Sequence, residues 1–295
     1  MAYRFKRSEP VADGIRRVAL EQLDGAVTDL QRPRQGDAIH RARKRLKMLR
    51  ALLRLVRSDL KSAVFDRENA ALRDLGRRLS VIRDADVLLE VVHDLRPASG
   101  RHAAFERVLR HLRQHRRSIR HEFFDDAEAI AQLRAQAVEA RSRLDDWASV
   151  GGLPRTLFDG LRASYRRGRQ TYEAAYRGRN DGRWHEWRKR TKDYWYHLRL
   201  FCRVWPSVMG AAVAQCKELA DVLGDDHDLV VIGHRLMDVS PDVDVGRESR
   251  RLRTLIGRRR TRLQDKAREI GVRLFEERPR VFIARVEACW HEWRG

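Results

Sequence analysis

The feature that most constrains this chain is that it repeats itself. The stretch His40-Arg41-Ala42-Arg43-Lys44-Arg45-Leu46-Lys47 recurs as His185-Glu186-Trp187-Arg188-Lys189-Arg190-Thr191-Lys192, an offset of 145 residues. Over the sixteen positions from His40 and from His185, eight are identical; chance would give about two. Upstream, Asp13-Gly14-Ile15-Arg16 answers Asp159-Gly160-Leu161-Arg162 at an offset of 146. Downstream, Asp84-Ala85-Asp86-Val87 answers Asp226-His227-Asp228-Leu229 at an offset of 142. Three collinear matches at nearly one offset describe two copies of a unit of roughly 140 residues. The expected organisation is one domain over 1–295, with a first repeat in 1–125, a connecting helix and break in 126–152, and a second repeat in 153–295. Gly151-Gly152-Leu153-Pro154 marks the break.

The unit is helical. Pro10, Pro33, Pro97, Pro154, Pro206, Pro241 and Pro279 fall between stretches of helical period, and no stretch shows the β-branched alternation of a strand. The periodicity predicts helices over 10–30, 37–58, 62–80, 84–95, 99–122, 126–149, 155–177, 183–204, 207–223, 226–238, 243–271 and 276–292, in an all-α protein. Trp290 and Trp293, three apart in the closing CWHEWRG, read as a core anchor for the last helix. Cys202, Cys216 and Cys289 are scattered and form no C-x-x-C, as in a reduced cytoplasmic protein. The opening MAYRFKRSEP lacks the apolar stretch of a signal peptide, and no run approaches eighteen apolar residues, so no membrane span is expected.

The recurring segment has a geometry of its own. At about 100° per residue, His40, Arg43, Lys44, Lys47, Arg50 and Arg54 share an arc of about 120°, while Ala42, Leu46, Leu49, Leu52, Leu53 and Val56 face the other way. Arg41, Arg45 and Arg57 lie at the edges of the arc. From His185 the same arc holds Arg188, Lys189, Lys192, Trp195, Tyr196 and Arg199, opposite Trp187, Tyr194, His197, Leu198 and Phe201. Solvated faces normally mix signs, because like charges at i, i+4 repel. Neither arc contains an acid; Glu186 and Asp193 fall just outside the second. One reading is an ordinary solvated face. The other is a surface whose missing negative charge is supplied by a ligand, with Trp195 and Tyr196 placed to stack on arginine or to donate to an oxyanion.

Composition gives that ligand a sign. Lys plus Arg number 63 against 42 acids, a formal charge of +21, which attracts polyanions: nucleic acid, an anionic membrane or polyphosphate. Only eight of the basic residues are Lys. The arginine excess reflects either genomic base composition or the value of a planar fork for gripping phosphate. His40 and His185, beside several cations, are expected to be neutral near pH 7 and able to donate N–H to phosphate. A metal site is the alternative, with Asp84, Asp86, Asp226, His227 and Asp228 as ligands. The simpler role for these acids is that Asp84 and Asp226 cap helices while Asp86 and Asp228 sit in the first turn or pair with arginine. His102, His111, His115 and His121 share the basic stretch 101–121, and His111 and His115 would meet on one face. No P-loop, G-x-S-x-G or Cys–His arrangement is present. Nothing calls for a cofactor, and no known nucleic-acid-reading motif appears.

Paired H-x-x-R-K-x-x-K helices, each followed some forty residues later by an [RD]-D-x-D-[VL] segment, with YRF near the start and ARVEACWHEWR near the end, resemble the CHAD family, the conserved histidine α-helical domain. The resemblance covers essentially the whole chain. It implies two pseudo-symmetric antiparallel helical-bundle halves whose basic helices line a central groove or pore. It also implies non-catalytic binding of inorganic polyphosphate and a cytoplasmic location at polyphosphate granules. Nothing in the sequence resembles the CYTH triphosphatase domain often fused to this family, so a stand-alone form is expected. Matched by position, the family's basic-helix residues are His40, Arg43, Lys47 and Arg50 in the first half, and His185, Arg188, Lys192 and Tyr196 in the second. Lys44, Arg54, Lys189 and Arg199 join them from the arcs, and Arg16 and Arg162 from the repeat. Trp195 departs from the pattern, which has a basic residue there, as the first copy does at Arg50; that narrows or weakens the second wall. The rival functions are non-specific nucleic-acid binding, and a metal-dependent phosphohydrolase or phosphoacceptor using His40 or His185 with Asp84 or Asp226.

Overall fold

The apolar stripe that faces away from the first basic arc is the floor on which much of the molecule packs. Ala42, Leu46, Leu49, Leu52, Leu53 and Val56 are each no more than 1% exposed. In the computed structural model, residues 3–95, 103–148, 153–178, 180–238 and 248–295 are described. All regular secondary structure among them is helical. In chain order the helices are α1 (Val11–Gln31), α2 (Ala38–Leu55), α3 (Ser62–Arg78), α4 (Ser80–Asp94), α5 (Ala103–Asp125), α6 (Ala127–Ser142), the single turn α7 (Asp145–Ala148), α8 (Pro154–Gly178), α9 (Asp181–Leu200), α10 (Pro206–Asp238), α11 (Glu248–Leu274) and α12 (Pro279–Arg294), with a 3₁₀ turn at Arg57–Asp59.

Antiparallel neighbours are fastened by the edges of the basic arcs. Arg41 and Arg45 of α2 both donate to the buried Asp29 of α1, at 2.8 and 3.0 Å, so that its charge is paired on both oxygens. α2 also packs on α9, and their C-terminal halves lock together. His197 Nε2 donates to the Ala51 carbonyl at 2.7 Å, and Arg54 pairs with Asp193 at 2.9 Å. Trp187, Tyr194, His197, Leu198 and Phe201 are all buried on the core side of α9, as the periodicity predicts.

The two ends of the chain close on the same core. The Tyr3 hydroxyl donates to the Met48 carbonyl at 2.9 Å, and the Phe5 amide donates to the Leu200 carbonyl at 3.0 Å. The Phe5 ring meets Phe201 at 5.7 Å and Trp290 at 5.8 Å, both edge to face. Trp290 is 1% exposed and Trp293 packs against the core partly buried, so the closing tryptophans do anchor α12. A second, smaller apolar cluster joins Leu88 and Val92 of α4, Leu109 and Leu112 of α5, Leu229 and Ile232 of α10 and Ile256 of α11. It sets α4 and α10 side by side.

Two expectations fail here for one reason. The Gly224-Asp225-Asp226 run reads as a stop between two helices, yet α10 continues through it to Asp238. Asp226 is therefore not a cap. It is 2% exposed and accepts from Arg260 at 3.0 Å and Gln264 at 3.2 Å; a partner on α11 replaces the capping role. In the first copy the break falls at Leu79, so Asp84 lies in the second turn of α4 rather than at its cap. The side-chain caps are elsewhere: Asp126 accepts from the Ala129 amide and Asn180 from the Arg183 amide. Of the expected break, Gly151 and Gly152 lie outside the described residues, as does His102. His111 and His115 stack, ring centroids 6.5 Å apart.

Gly160, in the repeated Asp-Gly segment, marks a close approach. A Cβ there would lie 1.9 Å from the Leu55 carbonyl oxygen at the end of α2, and backbone cannot yield as a flexible side chain can. Gly76 on α3 has open space around it. Gly160→Ala should therefore lower stability by about 2 kcal/mol or more, while Gly76→Ala should raise it by about 0.5 kcal/mol. Urea melts of the two variants read this directly, and equal midpoints would show that the α8–α2 approach is not tight.

Candidate functional site

α2 from His40 to Lys47 and α9 from His185 to Tyr196 open onto a cavity of about 740 Å³ whose other walls are α4 and α10. α2 supplies His40, Arg43, Lys44 and Lys47; α9 supplies His185, Arg188, Lys192, Trp195 and Tyr196. The sequence alone signals both sets. Arg83 of α4 and Asp225 of α10 open the two [RD]-D-x-D-[VL] segments without being singled out as site residues, and α10's Lys217 and Asp221 carry no motif. The α10 lining residues recur at helical spacing from Lys217 to Val231, a face that the repeated segment marks only at His227 and Asp228.

Burial and repulsion dominate the electrostatics. Burial, reinforced by Arg43, Lys192 and Arg188, pulls Lys47 down to about 7. Burial and then Arg188 pull Lys192 down to about 8. Both values are far below that of a free lysine. Burial likewise lowers Arg43 and Arg188. His40 is lowered by burial and by Arg83, and His185 by burial and by Arg188, in line with the neutral rings expected of them. His227 comes within 3.3 Å of His185, Nδ1 to Nδ1. Burial, with Arg188 and His185 adding to it, drives His227 down to about 4. At neutral pH one uncharged imidazole therefore donates to the other.

The acid-free arcs are not free of acid in three dimensions. Arg43 faces Asp84 at 3.4 Å. Asp228 lines the same cavity, and its pKa is raised by burial, with Arg188 and Lys192 opposing. Seven Lys or Arg and four Asp line the cavity, so the basic groups exceed the acids by three. Lys217 is held by Asp221 and Arg83 by Glu90. No acid pairs with Lys44, Lys47, Arg188 or Lys192 among the described residues.

Two buried donors on the α9 wall have no hydrogen-bond partner: Arg188 Nε and Trp195 Nε1. An unmet buried donor costs about 1–3 kcal/mol. Trp195, the departure from the expected pattern, thus brings an N–H to the wall where a cation was expected.

The remaining expected residues lie away from this lining. Arg50 donates to Asn69 at 3.2 Å, and Arg54 is spent on Asp193 in the helix crossing. Lys189 pairs with Glu186 at 2.6 Å. Arg199 lies over the rings of Tyr3 and Trp195, 5.1 Å from each. Arg16 pairs with Asp145 at 2.8 Å and Arg162 with Asp159 at 3.2 Å. The arc is continuous along each helix, but only part of it meets the cavity: on α2 the stretch from His40 to Lys47, and on α9 His185, Arg188, Lys192, Trp195 and Tyr196. Asp226 also turns away from the cavity, toward Arg260. Among the described residues no group of three or more His, Cys, Asp or Glu is arranged to hold a metal ion, and no helix is long and apolar enough to cross a membrane.

A solved structure with the same arrangement of helices exists. The crystal structure of the CHAD domain from the plant Ricinus communis superposes with a TM-score of 0.58 over 99% of this chain and 95% of that one, at 18% identity. No curated protein matches the sequence. The sequence profile of the CHAD domain matches residues 15–237, which include both basic helices, α4 and nearly all of α10. The chain belongs to the CHAD-domain family.

Proposed function

We propose that this protein binds inorganic polyphosphate, without transforming it, in the cavity between α2 and α9. The observation that carries the reading is a cavity wall with unmet donors and unneutralised cations. Arg188 Nε and Trp195 Nε1 are buried without partners, beside Lys47 and Lys192, whose pKa values are held down to about 7 and about 8 by burial and like charge. A chain of phosphates supplies both missing things at once: acceptor oxygens every few ångströms, and about one negative charge per unit. His40 and His185 serve as neutral donors, Arg43 and Arg188 as forks. Tyr196 completes the wall. The cavity walls come from both sequence repeats, which we take as one binding domain. The same reading places the protein on cytoplasmic polyphosphate granules, where a fluorescent fusion should colocalise with them.

Replacing Lys47 and Lys192 by Met keeps side-chain volume and removes two mutually repelling charges. Calorimetric titration with long-chain polyphosphate should then show affinity lowered by about 100-fold or more, with the melting temperature unchanged or raised. Wild-type affinity for long chains no greater than for orthophosphate would end this reading. Asp228→Asn should act the opposite way and tighten binding severalfold, because the carboxylate competes with phosphate for Arg188 and Lys192.

The lysines also tie binding to pH. Their folded pKa values lie below the unfolded one, so between about pH 7 and 10 the unfolded chain holds more protons and the free protein gains stability as pH rises. Bound phosphate pushes both values back up. Binding should therefore take up protons at pH 8 and weaken from pH 7 to 9. Titrations in buffers of different ionisation enthalpy measure that uptake, and none would mean the lysines do not meet the ligand.

A further inference from the structure

A second concave surface lies behind the wall that α4 presents to the cavity. It encloses about 530 Å³ between Leu89, Glu90 and His93 of α4 and Leu109, Arg113, Arg116, Arg117 and Arg120 of α5. The four arginines stand at i, i+3, i+4 and i+7, so they form one stripe along about two turns of helix. The nearby acids are already engaged. Asp86 takes Arg116 at 2.7 Å and lies 3.8 Å from Arg120. Glu90 takes Arg83 at 2.9 Å. Arg113 and Arg117 are exposed, and among the described residues neither makes an ion pair or hydrogen bond.

We infer that this α4–α5 groove is a second phosphate-chain site, outside the central cavity. Four guanidinium groups around an apolar floor, with half of them lacking a counter-charge, make a surface that a string of oxyanions would complete. No Phe, Tyr or Trp lines the groove, whose one ring is the His93 imidazole, so it lacks the row of aromatic platforms on which single-stranded nucleic acid stacks successive bases. The inference rests on the polyphosphate reading of the central cavity for its choice of ligand, but not for its geometry.

The placement of the groove implies a dependence on chain length. Asp84, Val87 and Leu88 of α4 line the central cavity, and Leu89, Glu90 and His93 line the groove; at 100° per residue the two sets occupy opposite faces. A ligand touching both must round a helix about 10 Å across. Arg83 marks the edge it would pass over, since Arg83 lines the cavity and its guanidinium rests on Glu90 of the groove. A short phosphate chain fills one site, and a long one spans both.

Chemical footprinting of the full chain tests this. Phenylglyoxal labels Arg113 and Arg117, acetic anhydride labels Lys44 at the mouth of the central cavity, and mass spectrometry reads both with and without long-chain polyphosphate. Protection of all three is the expected result, with tripolyphosphate protecting Lys44 alone. Protection of Lys44 only, by the long chain as well, overturns the second site and leaves the central reading standing. Protection of Arg113 and Arg117 without Lys44 upholds the groove and overturns the central reading. Protection of none overturns both. In the exposed pair Arg113→Gln/Arg117→Gln, affinity for the long chain should fall about tenfold, with a shallower salt dependence, and affinity for tripolyphosphate should stay as it was. An unchanged long-chain affinity also overturns the groove.

Discussion

The cavity depends on the crossing of α2 over α9. The crossing holds together two helices whose cavity-facing surfaces both carry positive charge. At the crossing the basic arcs are neutralised from within: Arg54 meets Asp193 at 2.9 Å, and the neutral His197 donates to the Ala51 carbonyl at 2.7 Å. Burial keeps His197 uncharged by driving it down to about 4, so the contact adds no further cation to the interface. Breaking such a partly buried pair from one side leaves a half-desolvated charge unmatched, which costs more than the pair contributes. Where the same two helices line the cavity, no counter-charge of this kind comes from within either helix.

That division explains why the ligand-free site is electrostatically tense and still folds. Four cations, Arg43, Lys47, Arg188 and Lys192, share a buried space: Lys47 feels the other three, Lys192 feels Arg188 and Arg43, and Arg188 feels Arg43. The fold relieves them in two ways. It sets Asp84 and Asp228 among them as partial counter-ions, and it lets the two lysines approach neutrality. Both adjustments are reversible: a carboxylate can be out-competed, and a proton can return. A site built from arginine alone could make only the first.

The sequence made the faces of the helices legible, because helical period is a local property. Ala42, Leu46 and Leu49 are buried and His40, Arg43 and Lys47 face the cavity, as their spacing demands. It did not reveal what packs against a face. Arg50 and Arg54 share the arc of Lys47, yet one finds Asn69 and the other Asp193; only tertiary packing separates them from the site. Asp226 failed as a cap for a related reason. A Gly-Asp-Asp run is a plausible stop in isolation, but Arg260 and Gln264 on α11 give the aspartate a better partner inside a continuous helix. The contribution of α10 was only partly legible: the repeated segment marks His227 and Asp228, whereas Lys217 and Asp221, about two to three turns earlier on a face of mixed charge, carry no signature.

Trp195 shows how a departure from pattern can be read wrongly and then usefully. By offset it stands where the first copy has Arg50, and the loss of a cation there suggests a weaker wall. In the fold Arg50 turns away to Asn69, while Trp195 lines the cavity and brings an unpartnered indole N–H. Arg199 sits over its ring at 5.1 Å, which fixes the indole and keeps a positive field behind it without placing the charge in the cavity. An arginine at 195 would have added one more buried cation to a group whose members already depress one another. A neutral donor held by a cation outside the cavity delivers a hydrogen bond to an oxyanion without that repulsion, so the wall that looked depleted is the one better able to remain folded while empty.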